Sequence, residues 1–161
     1  MIFQQTELAL GPPVVDVEGD LFAADADALV NAVNCVGVMG KGIALQFRRR
    51  FDANFHAYSR ACRTGDLRPG RVHIGPGAGG RVRYVVNFPT KRHWRDASRL
   101  DDIEAGLLDL AEWLRQGHVG SIAVPALGCG LGGLDWTAVR PLIASTLGDT
   151  GARVLIYGPR S

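Results

Sequence analysis

Residues 28–47 combine asparagines with a glycine-rich loop in a way that could bind a phosphorylated sugar. Glycines this dense let successive backbone N–H groups point to one side, which is how a loop holds phosphate oxygens. Asn31 and Asn34 fall where the preceding strand is predicted to end, and carboxamides placed there can read sugar hydroxyls. A tight strand-to-helix turn would need the same glycines. The loop residues concerned are Gly37, Met39, Gly40, Lys41 and Gly42.

Residues 128–133 form a second glycine-rich loop, between a predicted strand and a predicted helix, and match GxGxxG. A lone match of this kind is weak. The acidic residue expected about 20 positions further on in a dinucleotide-binding fold is absent, because the next strand ends in Tyr157 and Gly158. Residues 37–42 do not fit the GxxxxGK[ST] loop of nucleotide triphosphatases either. A dinucleotide oxidoreductase and a P-loop enzyme are therefore both disfavoured.

The two lysines stand out, because sixteen of the eighteen basic residues are arginine. An amine can act as a base or a nucleophile, whereas a guanidinium cannot. Lys41 lies in the first glycine loop and Lys91 follows a predicted strand. Cys129 could be a nucleophile, but no histidine is near it in sequence and we predict a packing role. The histidines and the three cysteines lack metal-ligand spacing, so we predict neither metal nor cofactor.

Strand and helix patterns alternate along the chain, which predicts a mostly parallel sheet with helices on both faces. We expect one domain over residues 1–161, with residues 1–13 as an arm or edge strand, and a three-layer α/β/α sandwich of about six strands. Residues 89–95 are predicted as a loop, Ser98 as the cap of a helix with Asp101 in capping-box position, and Asp135 or Thr137 as the cap of the next. The predicted strands are 14–17, 28–33, 71–74, 83–88, 121–125 and 153–157, and the first predicted helices are 43–50, with Leu45 facing inward, and 51–62.

Composition is that of an ordinary globular protein, with 47% apolar and 21% charged residues in a chain of 161. No apolar run approaches the ~20 residues of a membrane span, and residues 1–10 do not read as a signal peptide. We therefore expect a cytoplasmic protein without a membrane partner. A net charge of +2 permits a nucleic-acid partner but does not demand one.

Five segments together resemble a macrodomain. They are VEGD (17–20), NAVN (31–34), GVMGKGIALQF (37–47), NFPTKRHW (87–94) and PALGCGLGGLDW (125–136). More narrowly, the chain is similar to the branch of the terminal ADP-ribose glycohydrolases and the DarG-like macrodomains of bacteria. The resemblance covers residues 14–157, and its GVMGKGIA and NFPTKRHW segments are specific.

The resemblance implies a role for each matching position. Asp20 would bind the adenine amino group with the Leu21 backbone nearby, and Tyr157 would line the adenosine site or pack in the core. Asn34, with Asn31, would orient the distal ribose, and Lys91 matches the catalytic lysine. One departure is Gly132, where glutamate-cleaving relatives carry a catalytic aspartate; Asp135, three residues later, reads as a helix cap. The remaining ligand-binding positions implied are residues 37–42, Thr90, Gly128, Cys129, Gly130, Leu131 and Gly132.

The resemblance implies a hydrolase that removes mono-ADP-ribose from protein carboxylates or from thymidine bases of DNA. Its partners would be ADP-ribose and the modified protein or DNA, and we expect a monomer. A non-catalytic ADP-ribose reader and an O-acetyl-ADP-ribose deacetylase remain open; Lys91 favours the hydrolase, because a reader needs no titratable amine. Whether residues 48–50 and 92–95 form one basic rim with Trp94, or are solvated arginines beside a packed tryptophan, also remains open.

Overall fold

A computed structural model describes residues 12–160, so the arm predicted for residues 1–13 lies almost wholly outside the described part. The six strands are β1 (Val14–Val17), β2 (Ala28–Asn34), β3 (His73–Pro76), β4 (Tyr84–Lys91), β5 (Ser121–Pro125) and β6 (Arg153–Tyr157). The helices are α1 (Gly42–Arg50), α2 (Asp52–Thr64), α3 (Leu100–Arg115) and α4 (Trp136–Leu147), and a 3-10 turn spans Leu21–Ala23. This is the predicted alternation of strands and helices.

The strands form one sheet in the order β1-β6-β5-β2-β4-β3. All pairs are parallel except β3 with β4, which are antiparallel. The α3 and α4 helices pack on one face of the sheet, over an apolar cluster that includes Val30, Ile103 and Ile143. The α1 and α2 helices cover the other face through Phe47 and Tyr58. The predicted three-layer α/β/α fold with a mixed, mostly parallel sheet is confirmed.

Three local predictions are wrong at their boundaries. The β4 strand continues to Lys91, so Pro89, Thr90 and Lys91 lie in a strand rather than in a loop. The β3 strand runs from His73 to Pro76, whereas the predicted strand covered residues 71–74. Helix α3 begins at Leu100 with Arg99 at its N-cap, and Ser98 makes no capping hydrogen bond.

In α1 the inward residue is Phe47, which is fully buried, whereas Leu45 is only partly buried. Phe47 packs against Phe22 and Phe51, with ring centroids 4.7 and 5.6 Å away. Helices α1 and α2 are separate because the backbone at Phe51 leaves the helical region, with φ −131° and ψ 71°. Within residues 12–160, no helix is long and apolar enough to cross a membrane.

Candidate ligand-binding site at the carboxyl edge of the sheet

The predicted site residues line up along one edge of the sheet. Because β1, β6, β5, β2 and β4 are parallel, the segments that follow them emerge at the same edge. In strand order these segments carry Asp20, Tyr157, the loop 128–133, the loop 35–42 and Lys91. Five strands at a spacing of about 4.8 Å give a row about 19 Å long. The row suits an extended ligand with several phosphate and sugar groups, rather than a compact one.

Asp20 and Tyr157 define the β1 end of this row. Val17, the last residue of β1, is paired with Tyr157, the last residue of β6. Asp20 is exposed and its Oδ1 accepts a hydrogen bond from the Phe22 backbone N–H at 3.0 Å, which starts the 3-10 turn. Burial, and next the carboxylate of Asp20, raise the pKa of Tyr157. Leu21 and Tyr157 share one apolar cluster, so only edges of both side chains reach the surface.

Asn34 shapes the first glycine loop. The strand register shifts between Val33 and Asn34, which brings Asn34 opposite Lys91. The Asn34 Oδ1 accepts from the backbone N–H groups of Val36 and Val38 at 3.1 and 3.3 Å. Its Nδ2 donates to the Val38 carbonyl at 2.8 Å. An amide nitrogen has two hydrogens, so one donor of Asn34 remains for a ligand.

Tyr58 anchors Asn34 from α2, and the sequence offered little sign of it. Its hydroxyl donates to the Asn34 backbone carbonyl at 2.8 Å and approaches the Asn34 Oδ1 at 2.9 Å. The ring is fully buried, and this burial raises the pKa of the phenol far above its ordinary range. A neutral hydroxyl therefore holds the loop. The only sign of this role in the sequence is that Tyr58, an aromatic residue with a hydroxyl group, lies on the apolar side of a predicted helix.

Asn31 and Met39 are not brought to the surface of the edge. Both side chains are fully buried, and the Asn31 Nδ2 contacts the Met39 Sδ at 3.8 Å. The other neighbour of Asn31 is Asn87, whose Oδ1 lies 3.5 Å away. Asn87 in turn pairs with Asn54 of α2 through two hydrogen bonds of 2.8 and 3.0 Å. The position of Asn31 on β2 places it inside this buried network, not beside the sugar site that the resemblance implies.

The beginning of α1 completes the first loop as an anion site. Gly37 and Gly42 have φ values of +83° and +58°, which only glycine adopts easily. Lys41 is exposed at the N-cap and makes no capping hydrogen bond, and the first turn of α1 holds no acidic residue. The free N–H groups of this turn, with the positive end of the helix dipole, favour a phosphate here.

Lys91 ends β4 at the opposite end of the row from Asp20. It is partly exposed, and its Nζ donates to the Trp94 backbone carbonyl at 3.5 Å. Thr90 beside it is buried, with its hydroxyl 3.5 Å from the Val33 carbonyl, so it ties β4 to β2. Arg92, the next residue, does not act on Lys91. Instead its guanidinium forms an ion pair with Asp102 at the start of α3, at 3.2 Å for both nitrogen–oxygen pairs.

The second glycine loop is locked against the segment that precedes α3. The Ser98 backbone N–H donates to the Gly132 carbonyl at 2.9 Å. A Cβ on Gly132 would overlap the Ser98 Oγ and lie 2.5 Å from the Gly128 carbonyl oxygen. The side chain of an aspartate at this position would therefore have no room here. Asp135 does not replace it, because its carboxylate caps α4 by accepting from the Thr137 N–H at 2.9 Å.

Cys129 fits the packing role. Its thiol is partly buried against the α3–α4 side of the core and lies 3.5 Å from the Leu127 carbonyl. Burial, and next the Asp135 carboxylate, raise the pKa of this thiol, which disfavours the thiolate that a nucleophile needs. Gly130 and Leu131 are exposed beside it. Within residues 12–160, no three metal-ligating side chains cluster.

The arginines 48–50 and the segment 92–95 do not share one mouth. The first turn of α1 lies at the candidate edge. Arg50 is eight residues after Gly42, the first residue of α1, which places it about 12 Å further along the helix. Arg50 lines a separate open cleft of about 290 Å³ with Arg81 and Val82, which precede β4 at the other edge of the sheet. Trp94, by contrast, is 49% exposed at the candidate edge.

Comparison with known proteins identifies a matching protein family and a similar relative. A family model described as "Macro domain" matches residues 30–143. A DNA ADP-ribosyl glycohydrolase of Mycobacterium tuberculosis is 49% identical over 145 residues, 88% of this chain and 41% of that protein. The chain therefore spans about two fifths of that relative's length.

Two solved structures share the fold. The macrodomain of Mycobacterium tuberculosis DarG superposes with a TM-score of 0.88 at 45% identity, covering 93% of this chain and 100% of that one. Thermosipho africanus DarTG in complex with ADP-ribose superposes with a TM-score of 0.83 at 36% identity, covering 91% of this chain and 41% of that one.

Proposed function

The chain belongs to the macrodomain family, and from that premise we propose that it is an ADP-ribosyl glycohydrolase that acts on ADP-ribosylated DNA. The names of its relatives support the activity: proteins 48–49% identical to it are DNA ADP-ribosyl glycohydrolases. A structure with the same fold was solved with ADP-ribose bound. The matched region is 41% of the length of the Mycobacterium tuberculosis relative, so the activity of that whole protein does not transfer to this chain by similarity alone. The arrangement of this chain's own residues therefore has to support the activity as well.

The observation that carries the proposal is the pairing of Asn34 with Lys91 at one end of the row. In this proposal the adenine lies at Asp20 and Tyr157, and the diphosphate lies between the loops 37–42 and 128–133. The distal ribose then reaches the β2–β4 end of the row. There the spare amide donor of Asn34 holds a ribose hydroxyl, and the Lys91 amine faces the anomeric carbon.

Hydrolysis breaks the bond between that anomeric carbon and a thymine nitrogen. The transition state resembles an oxocarbenium ion, as in other glycoside hydrolyses. Lys91 has two ways to assist. As an amine nucleophile it forms a bond to the anomeric carbon while the base departs with the bonding electrons, and water then releases ADP-ribose. As an acid it gives a proton to the departing base while water attacks the carbon.

Lys91 acts without an aspartate partner in this proposal. Gly132 leaves no side chain at the position of that aspartate, and the crowding by Ser98 prevents one from being added. Asp102, at the start of α3, is held in an ion pair by Arg92. The chemistry at the anomeric carbon therefore depends on the lysine, the bound substrate and water.

The test is a side-by-side time course of ADP-ribose release. One substrate is a single-stranded oligonucleotide with one ADP-ribosylated thymidine, and the other is a protein with glutamate-linked ADP-ribose. Release from the oligonucleotide by the wild-type protein, and not by Lys91→Ala, supports the proposal. Release from the protein alone contradicts the DNA part. Binding of ADP-ribose without release from either substrate means that the protein is a reader.

A further inference from the structure

Most of the large apolar side chains that are exposed within residues 12–160 lie on the loops of the candidate edge. Among residues 12–160, five large apolar side chains are exposed, and four of them lie on the three loops that follow β2, β4 and β5. The fifth, Leu108, lies on α3 and is 65% exposed. We call the four side chains the apolar rim: Val36 (45% exposed), Val38 (41%), Trp94 (49%) and Leu131 (72%).

The three loops are joined to one another, so the side chains of the rim lie on adjoining loops at one edge of the sheet. The Cys35 N–H donates to the Arg92 carbonyl at 3.3 Å, which links the loop after β2 to the loop after β4. The Ser98 N–H donates to the Gly132 carbonyl at 2.9 Å, which links that loop to the one after β5. Folding therefore holds these apolar groups at the surface, although each could gain by burial.

Trp94 is held in place by its neighbours. The Arg95 guanidinium carbon lies 4.9 Å from the indole centroid, over the ring, and the His93 ring lies 5.0 Å away. The Arg95 backbone N–H donates to the His93 Nδ1 at 3.1 Å, which closes the turn. Trp94 is therefore ordered, half exposed and next to an arginine. Proteins that bind single-stranded nucleic acids stack the bases on aromatic side chains of this kind.

The charge and size of the rim indicate the class of its partner. Residues 91–99 contain four cationic side chains, Lys91, Arg92, Arg95 and Arg99, against the single acidic residue Asp96. Four separate side chains are few for a stable protein–protein interface, which uses roughly 20–30 residues on each side. A few bases with their phosphates are a better match in both extent and charge.

Building on the proposed function, we infer that the apolar rim binds the nucleobases that flank the modified nucleotide in single-stranded DNA. Trp94 stacks on one neighbouring base, and Val36, Val38 and Leu131 cover apolar base surface nearby. The exposed Arg95 and Arg99 contact the strand's phosphates, which makes this binding sensitive to salt. An oligonucleotide substrate is therefore processed better than a modified nucleoside that lacks neighbours.

The experiment compares two substrates that carry the same chemical linkage. One is ADP-ribosylated thymidine as a free nucleoside, and the other is the same group within a single-stranded oligonucleotide. Trp94→Ala is expected to lower kcat/KM on the oligonucleotide on the order of tenfold, the scale of one stacked base, and to leave the nucleoside within about twofold. Trp94→Phe keeps a stacking face and should retain most of the activity, whereas Val36→Ser should show a smaller loss in the same direction.

Leu108→Ser is the matched control, because Leu108 is also apolar and exposed but lies on α3, away from the edge. It should change neither rate. Equal losses on both substrates with Trp94→Ala would mean that Trp94 acts on the reacting group or on folding, and no loss on either would remove the rim from substrate binding. A loss confined to ADP-ribosylated protein would make the rim a protein-docking surface. Each of these three results overturns the inference.

A second measurement separates this inference from the proposed function. Fluorescence anisotropy of a labelled, unmodified single-stranded oligonucleotide is recorded with wild type, Trp94→Ala and Leu108→Ser at two salt concentrations. Weaker binding by Trp94→Ala alone, with a salt effect, supports the rim even if no substrate is hydrolysed. Equal binding by all three proteins overturns the rim even if hydrolysis succeeds.

Discussion

Asn34 and Lys91 are paired across β2 and β4, although 57 positions separate them in the chain. Regular pairing runs from Ala28 opposite Tyr84 to Val33 opposite Pro89, and the register then shifts by one residue. Without that shift Asn34 would lie opposite Thr90, whose side chain is buried. The irregularity therefore makes Asn34 and Lys91 partners in the strand register at the end of the candidate site.

Replacing Lys91 should separate binding from turnover. Lys91→Ala and Lys91→Arg are both expected to lower the rate of ADP-ribose release by about 10²–10⁴-fold, the usual contribution of an acid, base or nucleophile. Arginine keeps the charge but stays protonated, so it cannot attack the anomeric carbon. Calorimetry should show nearly unchanged affinity for free ADP-ribose. A normal rate for Lys91→Arg would reduce the lysine to an electrostatic contact.

Asp20→Ala should weaken ADP-ribose binding by about 1–3 kcal/mol, the scale of a charged hydrogen bond. Asp20→Asn keeps an oxygen for the Phe22 N–H and isolates the loss of charge. Asp16→Ala is the control on the same strand segment, since Asp16 pairs with Arg140 at 2.6 Å and lies outside the site. Isothermal titration calorimetry on the three folded variants measures their affinity for ADP-ribose. An unaltered affinity for Asp20→Ala would exclude this residue from the site.

Gly132→Ala should destabilise the protein by about 1–3 kcal/mol, the range for overpacking, because the new Cβ meets Ser98 and the Gly128 carbonyl. Gly132→Asp should do so at least as strongly, rather than restore a lysine–aspartate pair. Gly130→Ala, two residues away, meets nothing within 4 Å and should leave stability unchanged. Urea denaturation measures all three. Equal stability of Gly132→Ala and wild type would show that Ser98 moves aside freely.

Tyr58→Phe should cost about 1–3 kcal/mol, because the Asn34 carbonyl and amide oxygens lose a buried donor. The loop of residues 35–41 loses its anchor, so ADP-ribose affinity should fall as well. Tyr84→Phe removes a tyrosine hydroxyl far from Asn34 and should leave the affinity unaltered. The two variants are compared by urea denaturation and calorimetry, and equal affinities would show that the loop holds its shape without Tyr58.

Stability should fall below pH 6.5 because of His73. Burial lowers the pKa of this imidazole from 6.5, and its Nδ1 faces the Nδ2 of Asn87 at 3.1 Å, which favours the neutral ring. The native protein thus binds fewer protons than the unfolded chain once the pH drops below 6.5. The stabilisation is complete above that value and is lost as the pH falls towards the native pKa. Urea denaturation at pH 7.5 and 5.5 should show a smaller difference for His73→Asn than for wild type.

The sequence by itself determined the fold class and the loops that hold the candidate site. Apolar residues recur every second position in strands and about every 3.6 positions in helices. These patterns show which side of each element is buried, and they depend only on the residues of that element. Glycine-rich loops after apolar strands likewise mark places where the backbone needs conformations that favour glycine. Those signals located β1, β5, β6 and both glycine loops, and they showed that Asp135 or Thr137 would cap α4; the structure assigns this role to Asp135.

Only the tertiary structure decided which of these residues meet. Strand order and register join segments far apart in sequence, and no local pattern encodes them. This is why Ser98, expected as a helix cap, instead faces Gly132, and why Asn31 is enclosed among Asn87 and Met39 while Asn34, three residues later, reaches the edge. A strand directs alternate side chains to opposite faces, so a one-residue shift in pairing decides whether a side chain enters the core or the site.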